Sequence, residues 1–199
     1  MNAFNPDVGC IVLAGGAGRR FGSPKQLAAF RGRPLLEHAL AAAAAAPVAR
    51  VAVVLGANAE AVRDEVDLHG ADPVICATWR DGMAESLKAG VAGLGEAEAV
   101  VVMLGDQPLV SAEAVRRVVA SREAGTQAVR ATYAGVPGHP VVLERALFGE
   151  VMALEGDVGA RAILESASVR EVACDDVGDP ADVDSPADLR ALEARAREG

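Results

Sequence analysis

A chain of 199 residues with a formal net charge of −9, 51% hydrophobic and only 3% aromatic residues, is long enough to bury a sizeable core. The acidic balance and the scarcity of rings argue against a nucleic-acid footprint, which needs clustered cations or stacking platforms. No stretch approaches the roughly 20 apolar residues of a membrane span, and MNAFNPDVG has no charged leader or long apolar core, so no signal peptide, no membrane contact and a cytoplasmic location are expected.

The first apolar run predicts a strand over 9–14. It leads into LAGGAGRRFGSPK, residues 13–25, which packs glycines, two arginines and a lysine into one turn with no acid among them. Glycine amides can approach phosphate oxygens closely, and guanidinium and ammonium groups neutralise their charge. A tight strand-to-helix turn would explain the glycines but not three uncompensated cations, so a phosphate-binding loop is the better reading. It is not a dinucleotide fingerprint: Gly16-Ala17-Gly18-Arg19-Arg20 runs into Phe21, and the expected second strand ends Leu55-Gly56-Ala57 without an acid. Nor does Gly22-Ser23-Pro24-Lys25 supply the Gly-Lys-Ser/Thr of a Walker A loop.

Helices over 34–46, 58–66, 83–94 and 111–123 alternate with strands over 51–55, 73–76 and 99–104, each strand nearly continuous in apolar residues. That pattern predicts a parallel sheet with helices on both faces. Pro34 and Ser111 suit helix starts, by fixed φ and by N-capping. Trp79 precedes a loop entering a helix, whose amino end either meets a polar ligand or simply packs. Asp106, in VVMLGDQPLV, sits just past the carboxyl end of a strand, where ligands of open α/β sheets collect. Its spacing leaves two roles open, a metal-binding carboxylate or a turn-forming Asp before Pro108.

After Gly125 the pattern changes. Strands over 126–133 and 140–143, joined through AGVPGHP, read as a small antiparallel excursion. A helix over 145–153, the GDVGAR segment, a helix to 165 and a strand over 169–174 follow. DVGDPADVDSP then leads to a final helix through 195, opened by Ser185-Pro186. From spacing alone His139 reads as a structural turn histidine, and Asp184 as a helix N-terminal acid favoured by the dipole. Cys10, Cys76 and Cys174 lie far apart and read as reduced thiols. No repeat or long linker divides the chain, so a single domain over 1–199 is expected.

Taken together, LAGGAGRRFGSPKQL, RGRPLLEHAL, WRDGMAESLKAG, LGDQPLV, PGHPVVLER, GDVGARAIL and DVDSPADL resemble the MobA-like nucleotidyltransferase family, in order and over nearly the whole chain. The likeness is nearer to its molybdenum cofactor cytidylyltransferase branch. It implies a Rossmann-like, three-layer α/β/α (GT-A-like) fold with a mostly parallel sheet, a nucleotide-binding half to about residue 125 and an acceptor half from about 126. The implied reaction transfers CMP from Mg·CTP to the terminal phosphate of molybdopterin cofactor and releases pyrophosphate, with a molybdoenzyme as the recipient of the product.

The resemblance also implies site residues. Lys25, Arg20 and Asp106 would be catalytic. Leu13, Ala14, Gly15, Gly16, Arg19, Gly82 and Ser86 would join them around the nucleotide. Asp106 and Asp184 would hold Mg²⁺, and His139 and Asp157 would face the acceptor. The loop reads LAGG where cytidylyltransferases tend to carry LAAG, so Gly16 leans towards the guanylyltransferase branch and GTP, whereas GDQP and the C-terminal motifs lean towards CTP. Two alternatives stay open: a nucleotidyltransferase for a sugar phosphate or other phosphorylated acceptor, and a non-catalytic cofactor carrier.

Overall fold

The computed structural model describes residues 5–198. Residues 1–4, part of the stretch read above for a leader, lie outside the described residues. Nine strands and seven helices follow in chain order among them: β1 (Asn5–Ala14), β2 (Ala29–Phe30), β3 (Arg33–Pro34), α1 (Leu35–Ala44), β4 (Val48–Leu55), α2 (Ala59–Glu65), β5 (Asp72–Ile75), α3 (Met83–Leu94), β6 (Ala99–Leu104), α4 (Ala112–Ala120), β7 (Ala128–Tyr133), β8 (Val136–Glu144), α5 (Phe148–Ala153), α6 (Ala160–Leu164), β9 (Val169–Ala173) and α7 (Pro186–Glu198). Seven strands form one sheet in the order β5-β4-β1-β6-β8-β7-β9.

Alternation along the strands divides the core into two layers. Val8, Cys10 and Val12 of β1 pack with Leu36 and Leu40 of α1, Val62 of α2 and Val115 and Val118 of α4. Ile11, facing the other way, packs with Leu87 and Val91 of α3, Val151 of α5 and Ile163 of α6. Because β1, β4 and β6 are buried on both faces, their near-continuous apolar runs are what a central parallel strand requires. Each fully buried Val or Leu contributes about 1.5–3 kcal/mol of transfer free energy, so these strands form a rigid floor. The result is the three-layer α/β/α architecture expected.

The expected strands and helices are present, with shifts at their ends. Ser111 caps α4 as anticipated, its hydroxyl accepting from the Ala114 amide at 3.1 Å. Pro34 precedes its helix and closes a short β2–β3 hairpin that the sequence reading did not contain. Phe30 of the hairpin and Leu35 of α1 pack with Val183 and with Leu192 of α7 in a small third cluster. The antiparallel excursion expected after Gly125 is present. The β7–β8 hairpin lies within the main sheet, with β8 antiparallel to β6 and β7, while β9 returns parallel to β7. Only β8 runs against the other six strands of the sheet. Among the described residues no helix is long and apolar enough to cross a membrane.

Candidate functional site

Three neighbouring parallel strands end at one level. Ala14 of β1 is in register with Leu55 of β4, and Leu13 with Leu104 of β6. The turns that leave them open on the carboxyl edge of the sheet, where open α/β sheets take their ligands. A cleft of about 590 Å³ lies there, lined by the glycine loop with Lys25, the turn over 79–83, Ser86, Gly105, Asp106, Asp157 and Asp184. All the residues nominated from sequence line it except His139.

The loop's carbonyls are held from behind. Leu13 accepts from the Gly105 amide at 2.9 Å and Gly15 from the Ala57 amide at 3.2 Å. Ala14 and Gly16 both accept from Gln26 Nε2, at 2.8 Å each. Among the described residues no protein acceptor takes the amides of Gly16, Ala17 or Gly18. That leaves a run of backbone donors and cations at the cleft, the chemistry an anionic phosphate chain fits.

Two of the three loop cations, Lys25 and Arg20, meet acids from distant segments, which the local sequence did not suggest. Lys25 Nζ lies 2.5 Å from Asp106 Oδ2 and 3.1 Å from Asp184 Oδ1. Arg20 Nη2 pairs with Asp184 Oδ2 at 2.9 Å, although the arginine is largely exposed. Arg19 is exposed on the cleft lining. Burial pulls the Lys25 ammonium down, but Asp106 and Asp184 outweigh it and hold its pKa above the ordinary value. The lysine is therefore a fixed positive charge at neutral pH.

Asp184 does not serve as the helix N-terminal acid. That place belongs to Asp188, whose Oδ2 accepts from the Ser185 amide at 2.8 Å and the Asp184 amide at 3.2 Å, while Ser185 Oγ accepts from the Asp188 amide at 3.3 Å. This reciprocal box caps α7 and leaves the Asp184 carboxylate free to face Lys25. A third acid, Asp182, accepts from Gln107 Nε2 at 2.8 Å. Burial raises its pKa, and nearby Asp106 and Asp184 add to the rise. The sequence reading gave Gln26, Asn58, Gln107 and Asp182 no role in the site. The signals were that Gln26 and Gln107 each follow a singled-out residue, Lys25 and Asp106, and that Asp182 stands in the acid-rich stretch before the last helix.

Asp157 reaches the cleft through a close contact across the fold. Gly82, at φ +123°, lets the start of α3 lie directly on the Gly156–Asp157 backbone, and the Ala84 amide donates to the Gly156 carbonyl at 3.2 Å. His139 sits outside the lining. Burial pushes its imidazole down to about 4, against a smaller opposing pull from Asp106, so it is neutral at neutral pH.

A divalent ion fits this donor set. Asp106 and Asp184 supply the hard oxygens that Mg²⁺ or Mn²⁺ takes. Both already grip one cationic centre, Lys25, and Asp106 Oδ1 is buried without a hydrogen-bond partner. Among the described residues there is no group of three or more His, Cys, Asp or Glu side chains suited to hold a metal. Water or substrate oxygens would complete any coordination shell.

Fold and cleft together define an α/β domain of the nucleotidyltransferase type. The chain belongs to the MobA-like NTP transferase family, whose domain matches residues 10–172. It is 35% identical to nicotine blue oxidoreductase of Paenarthrobacter nicotinovorans, over 90% of this chain and 93% of that protein. It is 36% identical to Rv0371c of Mycobacterium tuberculosis H37Rv, with a TM-score of 0.86 and coverage of 94% and 97%. The same protein in complex with manganese superposes with a TM-score of 0.80, at 35% identity and coverage of 94% and 98%. Molybdopterin-guanine dinucleotide biosynthesis protein A of Archaeoglobus fulgidus shares the fold, at 20% identity and a TM-score of 0.72 over 96% and 100% of the two chains.

The glycine that separates LAGG from LAAG is Gly15. Aligned letter for letter, LAGG and LAAG differ at the third place, which is Gly15 and not Gly16. The two positions are not equivalent in space. A Cβ on Gly15 would meet Ser86 Oγ at 2.9 Å, whereas one on Gly16 would meet nothing within 4 Å.

Proposed function

We propose that this protein transfers CMP from CTP to the terminal phosphate of molybdopterin cofactor in the cytoplasm. The observation that carries a nucleotidyl-transfer reading is Lys25 bridging Asp106 and Asp184 at a glycine loop with free amides. An acceptor phosphate oxygen attacks the α-phosphorus, the bond to pyrophosphate breaks, and no protein nucleophile is needed. The chain's work is positioning and charge stabilisation. Loop amides 16–18 and Lys25, with Arg20 and Arg19 at the rim, hold the triphosphate and the departing pyrophosphate. Leu13, Ala14, Gly15, Gly82 and Ser86 shape the nucleotide side. Asp106 and Asp184 would hold Mg²⁺, which when bound neutralises phosphate charge. Asp157 takes the acceptor side, with His139 further from the cleft. In this reading the first 125 residues or so serve the nucleotide and the remainder the acceptor.

Support for CTP comes from GDQP and the C-terminal motifs, against Gly15, which favours GTP. Turnover of CTP, GTP and ATP with molybdopterin cofactor, followed by pyrophosphate release and product chromatography, tests the choice. A preference for GTP would overturn the cytidylyl assignment, and turnover only with sugar phosphates would overturn the acceptor. A second reading, an oxidoreductase, is favoured by the relative named nicotine blue oxidoreductase, which this chain matches over 93% of its length. Oxidation of NADH or NADPH coupled to reduction of that dye, with no pyrophosphate released from any nucleotide, would establish it instead.

A further inference from the structure

Gln26 is a polar side chain buried to 4% relative exposure, directly after the lysine that bridges the two acids. Its amide nitrogen donates to two carbonyls of the glycine loop, Ala14 O and Gly16 O, at 2.8 Å. Two carbonyl acceptors fix which end of the side-chain amide is nitrogen. Its oxygen in turn accepts from Asn58 Nδ2 at 3.3 Å. Asn58 stands at the N-cap of α2, where asparagine ordinarily caps the helix with its side chain, yet it makes no such bond. Its amide is spent on Gln26. The Gly16 carbonyl that Gln26 holds shares its peptide plane with the Ala17 amide, the middle one of the run Gly16, Ala17 and Gly18 that lacks a protein acceptor. In a trans peptide the N–H and C=O point to opposite sides, so holding the Gly16 carbonyl towards Gln26 turns the Ala17 amide the other way, as the Ala57 bond to the Gly15 carbonyl does for the Gly16 amide.

We propose that Gln26, oriented by Asn58, is a positioning residue that holds the glycine loop with its free amides turned to the nucleotide phosphates. This rests on the nucleotide reading above. Burying a side-chain amide is costly unless its hydrogen bonds are made, and here all three recorded bonds of Gln26 serve the loop or its support. A residue needed only to fill space would be met by a methionine of the same length.

The test uses the full chain, inorganic tripolyphosphate as probe, and the neutral, similarly shaped variant Gln26→Met. Calorimetric titration gives affinity, and hydrogen exchange gives protection of the loop amides on binding. In the wild type, tripolyphosphate should protect residues 16–18. In Gln26→Met, affinity should fall about tenfold or more, the loss of roughly one charge-assisted hydrogen bond. Loop protection should vanish while exchange in the core strand β6 stays unchanged, a split that general destabilisation would not give. Affinity within about twofold of wild type, with the loop equally protected, would overturn the inference. Should Gln26→Met fail to fold, Asn58→Ala decides: weaker binding with loss of loop protection supports the role, and unchanged binding overturns it. A wild-type protein that binds neither tripolyphosphate, CTP nor GTP would remove the nucleotide reading itself, and this inference with it. Binding by the wild type that survives both substitutions would remove only the inference.

Discussion

Replacing Gly82 by alanine should damage both the stability of the protein and the closure of its cleft. Gly82 has φ +123° and ψ 176°, a region nearly reserved for glycine, and strain of that kind costs about 1–3 kcal/mol. The added methyl would also fall on the Gly156 carbonyl and lie 2.6 Å from the Asp157 amide nitrogen. Those are backbone atoms, so no rotamer change relieves the clash, and overpacking adds about 1–3 kcal/mol. The expected loss is about 2–6 kcal/mol, a large part of a typical total of roughly 5–15. Thermal unfolding should shift down by roughly 4–24 °C at this chain length. If the 156–159 segment instead swings away, less stability is lost, but Asp157 leaves the cleft and hydrogen exchange in that segment rises. Gly16→Ala is the control, since a Cβ there meets nothing within 4 Å. A Gly82→Ala protein melting within about 2 °C of wild type, with unchanged exchange over 156–159, would refute the reasoning.

Lys25→Ala should lower kcat by the equivalent of about 2–4 kcal/mol of barrier if the ammonium stabilises transferring phosphate charge; near-normal turnover would remove that role. For Asp106→Asn, Mg²⁺-dependent turnover should be lost with the circular dichroism spectrum intact, and unaltered metal dependence would count against it. Gly15→Ala should cost stability, up to about 1–3 kcal/mol, and Ser86→Ala in the same chain should recover most of it because Ser86 Oγ is the atom the methyl meets; additive losses in the double variant would contradict the contact. Asp188 has its carboxyl held below the ordinary value by bonds from Ser185. Its stabilisation of the α7 cap is present above an unfolded value of 3.8 and is lost as pH falls through the lower folded value. Acid unfolding of Asp188→Ala should therefore be less steep in that window than that of the wild type; identical profiles would show that the cap does not contribute.

The sequence by itself determined the layered α/β architecture, because burial on both faces writes continuous apolar runs for strands and a 3.6-residue stripe for helices, all within local windows. It also determined the glycine loop at the end of β1, Asp106 at the end of β6 and the Ser111 cap, each encoded in a few adjacent residues. It paired β8 with β7 through their short connection but did not contain β6 as the second neighbour of β8, since an apolar run does not say which edge it will join. Nor did it contain the pairing of Lys25 with Asp106 and Asp184, which stand 81 and 159 residues further on. The exchange of roles between Asp184 and Asp188 lay beyond it for a related reason: both fit a helix start, and only the position of Lys25 decides which carboxylate is drawn away. Gln26 could not be read as a clamp until the loop it clamps was folded back over it, and Gly15 could not be distinguished from Gly16 until Ser86 stood beside one of them. The chain's local patterns set its elements; the packing of distant segments onto one sheet edge brought the charges and the close contacts together.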